Sequence, residues 1–513
     1  MSFFNKNVME KTQITNKVYH FVVKNWLIIL ILLIGAFLRL YKINEYMTFL
    51  GDEGRDSIIV RNLLVHADPI LIGPGTSVGS MYLGPLYYYF MASFLFLFNF
   101  SPVGPAIGVA LLGVATIYLI YITGREWFSN IAGLVAAALF AISPTVIIFS
   151  RSSWNPNIMP FFAMLSVYSI WRVYKNKEYK WLVVTAISFA FVLQSHYLGV
   201  LIAPVLFIYW ILARVPKNYS LFSIFLFLFL MSPLLIFDIR HDFLNSKALY
   251  KFLTVRQETV SIKPWTAIPK TYPIFEQINS SLLTAKNAKV GSLVTILFTV
   301  YLVFIFTRRK KLIQDQHYLI LLWLISGLIG FGIYKQNVYD HYFGFLFPIP
   351  FLLLGSLVED RMKQKSKLLN IVILSILISL VVLNLKNNPL FKTPNNQMQR
   401  SIEVAKKIID ESKYERFNIA VIAEQNYEDG YQYFLEKENT KVIEIDPQIP
   451  ASVTDQLFVI CEVNGSSLTK ETCNPTNSPK AQVANFGWSK IENQWEVDGV
   501  IIYKLIHNYP ENK

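Results

Sequence analysis

Long apolar runs recur along the first 389 residues of this chain and constrain its fold more than any other feature. A helix of about 17–25 apolar residues can cross a bilayer, and the mean hydropathy of the chain is +0.40. The candidate spans are 24–43, 104–123, 131–149, 157–172, 181–194, 197–213, 220–237, 291–307, 318–334, 341–355 and 370–386. We therefore expect an α-helical polytopic membrane protein with about eleven transmembrane helices in residues 1–389.

The charge distribution separates two parts of the chain. The formal net charge is +13, but residues 1–389 hold 34 basic and 16 acidic side chains, whereas residues 390–513 hold 13 and 18. Much of the basic excess falls in short loops between apolar runs, where it orients the spans. The charge therefore does not indicate nucleic-acid binding.

Basic clusters predict the orientation in the membrane. They lie at 6–24, 172–180, 214–217, 308–311 and 361–367, and cytoplasmic loops are enriched in Lys and Arg. If all five are cytoplasmic, an even number of spans must separate each pair of clusters. Between residues 24 and 172 this holds only if the further apolar stretch 84–98 does not cross the membrane, so we expect that stretch to be a juxtamembrane or re-entrant helix. The N-terminus, interpreted as a retained signal anchor, is then cytoplasmic and the C-terminal part is extracytoplasmic.

With this topology, polar residues from several separate loops fall at one membrane face. Ionisable groups near a bilayer are costly, so their convergence is a functional-site hypothesis. These residues are Asp52, Glu53, Asp56, Arg151, Asn155, His196, Asp238, Arg240, His241, Asp242, Asp340 and His341.

The first loop carries three carboxylates and one guanidinium in the run Gly-Asp-Glu-Gly-Arg-Asp at 51–56. The residues that follow predict a short amphipathic helix, with Ile59 and Leu63 on one side and Arg55 on another. Asp52 and Glu53 would lie at its N-terminus, where the helix dipole favours ionised carboxylates. Helix capping alone would explain one acid at this place but not two.

Other loops contribute further candidate substrate contacts. Arg151 could bind a phosphate, because the planar guanidinium matches phosphate oxygens; an interfacial anchor is its alternative role. The long loop up to Lys289 is interpreted as a gating segment or as partly disordered. The full set of expected substrate-binding residues is Arg55, Asp56, Tyr87, Arg151, Asn155, His196, Tyr197, Asp238, Arg240, His241 and His341.

Residues 390–513 read as a small α/β domain outside the membrane that supplies its own core. Helices are expected at 397–413 and 427–437, and strands at 417–423, 441–445, 457–463, 482–488 and 499–505. Cys461 and Cys473 could form a disulfide if this part is extracytoplasmic. Nothing in the domain suggests catalysis.

Residues 24 to about 390 resemble the GT-C superfamily of membrane glycosyltransferases, in the group of the protein O-mannosyltransferases and the lipid A aminoarabinose transferase. The resemblance rests on Asp52-Glu53, the Gly84-Pro85-Leu86-Tyr87 element, the segment from Ser-Pro at 143–144 to Asn155, and the His196-Tyr197 turn. Relatives often have Pro-Pro-Leu at the second element, and some have an acid in place of Asn155.

The resemblance implies a polyprenyl-phosphate sugar donor and an inverting transfer at the external face, with Asp52 as the catalytic acid position. We expect Asp52 to act as base towards the acceptor, which is a protein, lipid or polysaccharide. Glu53 would hold the acceptor or share a divalent cation with Asp52. Arg151, with Arg240 or His241, would stabilise the departing phosphate.

Two other classes of function are open. A transporter or lipid flippase would have broken helices, charges near the bilayer midplane and internal repeats, but the acids lie in loops and no repeat is evident. A receptor or scaffold that binds through the C-terminal domain would leave the paired acids of the first loop without a role.

Overall fold

The structure is a computed structural model that describes residues 22–76, 81–254, 259–261, 263–308, 316–363, 367–424, 426–463 and 473–508. Two of the basic clusters used to orient the chain lie largely outside these ranges. They are the N-terminal lysines Lys6, Lys11 and Lys17 and the group at 309–311; Lys365 of the last cluster also lies outside.

The first part of the chain is helical, as its long apolar runs predict. Its helices are α1 Val22–Leu40, α2 Ile43–Tyr46, α3 Gly51–His66, α4 Leu86–Leu97, α5 Val103–Trp127, α6 Asn130–Ile142, α7 Pro144–Phe149, α8 Met159–Asn176, α9 Trp181–Ser195, α10 Ala203–Ala213, α11 Lys217–Arg240, α12 Leu244–Thr254, α13 Ile268–Leu283, α14 Ala288–Arg308, α15 Gln316–Ile333, α16 Pro348–Met362 and α17 Lys367–Lys386.

Five of these helices, α1, α5, α11, α14 and α15, are long and apolar enough to cross a membrane. A sixth span results if the 3-10 helix Asp340–Leu346 and α16, which bend by 53° at Phe347, are taken as one. Several other expected spans are shorter apolar helices, such as α6, α9 and Tyr197–Ala213. A multi-pass membrane protein is confirmed, and the count of eleven stays a prediction.

The structure adds detail to two segments between the expected spans, the stretch 84–98 and the long loop before Lys289. The stretch 84–98 forms α4, which has 12 residues and is about 18 Å long at 1.5 Å per residue. In its described part, the loop before Lys289 holds α12, a 3-10 turn at Pro264–Ala267 and α13; its interpretation as a gating or partly disordered segment stays a prediction. The buried side chains Ile274, Phe275 and Ile278 explain the order of α13.

The C-terminal part forms a four-stranded sheet with strand order β1-β2-β4-β3. Its strands are β1 Asn418–Ile422, β2 Gln456–Cys461, β3 Ser489–Val497 and β4 Val500–His507. β1 and β2 are parallel, and the other pairs are antiparallel. Helices α18 Gln397–Ser412 and α19 Asp429–Lys437 cover one face and α20 Ala481–Phe486 the other, so β1 and β2 are buried throughout. Cys461 and Cys473 are joined by a disulfide.

Two strand predictions for this part were wrong or incomplete, and one strand was not predicted. Residues 482–488 belong mostly to α20, which ends at Phe486 and is followed by Gly487 with a φ of 87°, a conformation that glycine adopts readily. Residues 441–445 contribute only the bridge of Val442 to Phe417. The edge strand β3 was missed, although Asp498 and Gly499, both with positive φ, form the two-residue turn that joins it to β4.

The C-terminal sheet and the membrane helices share one hydrophobic core. Ile43, Met47 and Phe49 pack in the same cluster as Tyr433 and Phe434 of α19, and the Phe49 ring lies 5.5 Å from that of Phe434. The cluster also contains residues of α5, α18 and the sheet. The C-terminal part therefore has an apolar face that the membrane part covers, which the composition of residues 390–513 did not reveal.

Candidate active site

Helix α3 begins at Gly51, so Asp52 and Glu53 lie in its first turn as predicted. Ile59, Val60 and Leu63 pack against α4, which confirms the expected apolar side. The start of the helix contacts α19, which packs on the C-terminal sheet. The two acids are thereby held between the membrane part and the C-terminal part.

Asp52 and Glu53 have different surroundings although they are adjacent. Glu53 is buried, and its Oε2 accepts a hydrogen bond of 3.0 Å from the backbone N–H of Leu50. Burial raises the pKa of Glu53 to about 7, although the hydrogen bond from Leu50 favours the ionised form and acts to lower that pKa. Asp52 keeps about a third of its side chain exposed (35%). Glu53 therefore caps the helix, and Asp52 is the accessible acid.

Two donors converge on the Oδ1 atom of Asp52. Nη1 of Arg55 lies at 2.9 Å and the hydroxyl of Tyr427 at 3.3 Å. No hydrogen bond reaches Oδ2 from the residues that the structure describes. One oxygen of the carboxylate is thus fixed, and the other can accept a proton.

Arg55 joins Asp52 to a second, fully buried carboxylate. Its Nη2 lies 2.8 Å from Oδ1 of Asp56, which also accepts 2.9 Å from the hydroxyl of Tyr88. Burial raises the pKa of Asp56 to about 6, although Arg55 opposes that shift. Arg55 itself is 34% exposed. Its guanidinium is therefore held by two acids and still reaches solvent.

The segment 152–155 links the first loop to neighbouring elements. Ser152 Oγ accepts from the N–H of Thr48 at 2.9 Å, and Ser153 Oγ lies 2.7 Å from the hydroxyl of Tyr87. Asn155 donates to the carbonyl of Ser195 at 2.7 Å. Tyr87 and Asn155 are both buried, so they support the site in this structure and do not line an open surface.

The guanidinium of Arg151, which was predicted to bind a phosphate, is bonded to backbone carbonyls in this structure. Its Nη1 and Nη2 each donate, at 2.7 Å, to the carbonyls of Leu38 and Tyr41 at the C-terminal end of α1. The side chain is 2% exposed, and its guanidinium lies 5.2 Å from the ring centre of Tyr46. Carbonyls at a helix C-terminus lack intrahelical donors, so Arg151 satisfies them and acts as a structural cap.

His196 and His341 come together although they are 145 positions apart. Their ring centres are 6.3 Å apart, and His341 also packs on Trp154 at 4.6 Å and on Tyr342 at 4.5 Å. Burial, with a smaller effect of His341, lowers the pKa of His196 to about 3. The group forms a neutral aromatic cluster, a surface of the kind that stacks on sugars.

The remaining predicted residues separate into a buried network and an exposed pair. Asp238 accepts from the N–H of Asn245 at 2.7 Å, and Asn245 donates to the hydroxyl of Tyr197 at 3.1 Å. Asp238 therefore caps α12 and is not free to bind substrate. Arg240 and His241 are exposed, and His241 stacks on Phe237 with ring centres 4.1 Å apart.

Asp52 and Glu53 do not fit a shared divalent cation. Arg55 already supplies the positive charge at Asp52, and the buried Glu53 is bonded to the backbone. Over the described ranges, no group of three or more His, Cys, Asp or Glu side chains could hold a metal ion.

Tyr88 and Tyr427 were missed as site residues. Tyr88 follows Tyr87 in an aromatic run at 87–90, of which only Tyr87 was predicted to contact substrate. Tyr427 lies in the part judged to be without catalytic features, 375 positions after Asp52. No local pattern connects it to the first loop.

The fold that holds this site is that of GT-C membrane glycosyltransferases, which confirms the predicted resemblance. The family model of dolichyl-phosphate-mannose-protein mannosyltransferases matches residues 83–237. Among solved structures, apo ArnT from Cupriavidus metallidurans matches with a TM-score of 0.60 and 12% identity, covering 94% of this chain and 98% of that one. The same protein bound to undecaprenyl phosphate matches with a TM-score of 0.58, 11% identity and the same coverage.

A second kind of similar structure is the archaeal oligosaccharyltransferase AglB from Archaeoglobus fulgidus, in complex with an inhibitory peptide and a dolichol-phosphate. It matches with a TM-score of 0.52 and 15% identity, over 86% of this chain and 70% of that one. No curated protein matches by sequence. At these identities the structural similarity establishes the fold.

Proposed function

We propose that this protein transfers a hexose or pentose from a polyprenyl-phosphate donor to a hydroxyl group of a protein, lipid or polysaccharide at the extracytoplasmic face, with inversion. The observation that carries the proposal is the pair of Asp52 and Arg55, both partly exposed in the first loop of a glycosyltransferase fold. The undecaprenyl phosphate in ArnT and the dolichol-phosphate in AglB support a lipid-linked donor.

Asp52 is the base in this proposal. Its free oxygen Oδ2 takes the proton of the acceptor hydroxyl as the acceptor oxygen attacks the anomeric carbon. The new C–O bond forms while the bond between the anomeric carbon and the phosphate oxygen breaks. The electron pair of the broken bond leaves with the polyprenyl phosphate. A general base typically contributes a rate factor of about 10²–10⁴.

Arg55 is the residue that binds the phosphate of the donor in this proposal. The sequence analysis favours Arg151, but the terminal nitrogens of both arginines are already hydrogen-bonded. What separates them is exposure, because Arg151 is 2% exposed and the Arg55 side chain is 34% exposed. Arg55 is more accessible and lies next to the base. Guanidinium groups pair well with phosphate oxygens, and a positive charge at the leaving group stabilises the transition state.

Glu53 and Asp56 support this site without contacting substrate in our proposal. Glu53 fixes the start of α3 through Leu50, and Asp56 holds the guanidinium of Arg55 together with Tyr88. The aromatic cluster of Trp154, His196, His341 and Tyr342 would stack on a sugar. A transporter or flippase is not supported, since the matching fold is that of glycosyltransferases.

The test is transfer of label by the purified protein in lipid nanodiscs. Polyprenyl phosphates carrying radiolabelled hexoses and pentoses are incubated separately with a membrane extract as acceptor source. We expect label from one donor to leave the lipid with the wild-type protein and to remain on it with Asp52→Asn. Equal transfer by both proteins would contradict the role of Asp52, and no transfer from any donor would contradict the proposed reaction.

A further inference from the structure

The C-terminal part of the chain reaches the candidate base through Tyr427. Tyr427 lies just before α19, is 44% exposed, and its hydroxyl donates to Oδ1 of Asp52 at 3.3 Å. Its ring covers Gly51, where an added Cβ would lie 1.8 Å from a ring carbon. The first turn of α3 can therefore approach Tyr427 this closely only because residue 51 is glycine.

A second close approach lies one helical turn further along. A Cβ at Gly54 would be 2.4 Å from the backbone of Asp429 and Gly430 at the start of α19. Burial raises the pKa of Asp429 to about 6, with Arg55 opposing the shift. The first turns of α3 and α19 are thus in backbone contact, and the side chains near Arg55 come from both parts of the chain.

Partly buried hydrogen bonds hold the turn that carries Tyr427. The N–H of Tyr427 donates to Asn426 Oδ1 at 2.9 Å, and Asn426 Nδ2 lies 2.5 Å from Glu462 Oε1. The same oxygen of Glu462 accepts 2.6 Å from the hydroxyl of Tyr431. Glu462 follows Cys461, which the disulfide joins to Cys473. The backbone that carries Tyr427 is thereby bonded to the C-terminal sheet, while the ring itself lies over Gly51 of the first loop.

We infer that Tyr427 is a positioning residue for Asp52, supplied by the C-terminal part to the transfer site; this rests on the proposed function. The Tyr427 hydroxyl and Arg55 both bind Oδ1, so the carboxylate cannot rotate freely and Oδ2 is presented to the acceptor. A correctly oriented reacting group can account for a large part of a rate enhancement. The C-terminal part is then a component of the site and not an appendage.

The test compares two tyrosines that both bridge the two parts of the chain. Tyr427→Phe removes the hydroxyl next to Asp52 and keeps the ring over Gly51. The matched control is Tyr433→Phe on α19, whose hydroxyl donates to the carbonyl of Phe100 at 2.6 Å, away from Asp52. Initial rates are measured at varied donor and acceptor concentrations, with Asp52→Asn as reference and thermal unfolding of every variant.

We expect Tyr427→Phe to lower kcat about tenfold, since it loses one hydrogen bond to a charged group, with both KM values and the unfolding temperature nearly unchanged. Tyr433→Phe should keep kcat within twofold of wild type, even if it unfolds earlier. The inference is overturned if Tyr427→Phe keeps kcat within twofold, if both variants lose kcat equally, or if only the acceptor KM rises. If Asp52→Asn loses transfer while Tyr427→Phe keeps the kcat of wild type, the role of Tyr427 is overturned and the proposed base is not. Retained transfer in Asp52→Asn would overturn the proposed base.

Discussion

The guanidinium of Arg55 lies 2.9 Å from Oδ1 of Asp52. This ion pair brings the proposed base and the proposed phosphate contact onto one helical turn, at positions i and i+3. Asp56 holds the other side of the same guanidinium from the protein interior. A departing phosphate and an arriving hydroxyl can therefore meet at a single place, at the start of α3.

The first prediction separates the two arginines. Arg55→Ala should raise the KM for the polyprenyl-phosphate donor by at least tenfold, because the phosphate loses a charge-assisted hydrogen bond of about 1.5–3 kcal/mol. Arg151→Ala is the control. It should lower the unfolding temperature, because two carbonyls at the end of α1 lose their donor, and leave the donor KM nearly unchanged. The opposite pattern would return the phosphate role to Arg151.

The second prediction concerns the base. Asp52→Asn keeps the size of the side chain but removes its proton acceptor, so turnover at saturating donor and acceptor should fall by about 10²–10⁴. Donor binding, measured directly with labelled lipid, should persist. Asp56→Asn should instead weaken donor binding, because Arg55 loses its buried partner. Near-normal turnover of Asp52→Asn would place the base elsewhere.

The third prediction is a pH dependence of stability that comes from Glu53. Its pKa in the folded protein is about 7, above the ordinary value of 4.5. The favourable contribution of the protonated group is therefore complete below pH 4.5 and is lost as the pH rises through 7. Unfolding temperatures of wild type and Glu53→Gln should diverge between pH 5 and 8, with the variant gaining relative stability. The gain would be on the order of 1–3 kcal/mol.

Asp56 and Asp429 also have raised pKa values of about 6. Both carboxyl groups are present in wild type and in Glu53→Gln, so their effect on stability cancels when the two proteins are compared. Parallel pH profiles for wild type and Glu53→Gln would show that Glu53 is ionised in the folded state across this range.

The fourth prediction revises an expectation from composition. Residues 390–513 were expected to fold alone, but Tyr433 and Phe434 pack against Phe49 of the membrane part. The separate fragment should therefore expose an apolar face, bind a hydrophobic dye and self-associate. Replacing both residues with Gln should reduce the association. A monomeric wild-type fragment that binds no dye would contradict this.

The fifth prediction concerns orientation. A cysteine at His66, at the exposed end of α3, should react with an impermeant thiol reagent added outside cells. A cysteine at Asn176, at the exposed end of α8, should react only after permeabilisation. Reversed labelling would overturn the orientation and with it the extracytoplasmic site.

Some of the fold and site could be predicted because the signals are local. The apolar side of α3 and the acids at its start follow from residues within four positions of one another. The segment 482–488, predicted as a strand, mostly forms the short helix α20, because Val483 and Phe486, three positions apart, face the same core. The edge strand β3 is mostly exposed, so it lacks the apolar pattern that marks β1 and β2.

By itself, the sequence determined that the chain is a multi-pass membrane protein and that its first loop begins a helix with two acids, because hydrophobicity and helix-start chemistry depend on neighbouring residues. Only the tertiary structure decided that Glu53 caps the helix while Asp52 stays accessible, that Arg55 and not Arg151 faces Asp52, and that Tyr427 reaches the same carboxylate. These outcomes depend on which surfaces pack together across hundreds of residues, and a pattern within one segment does not encode its distant partners.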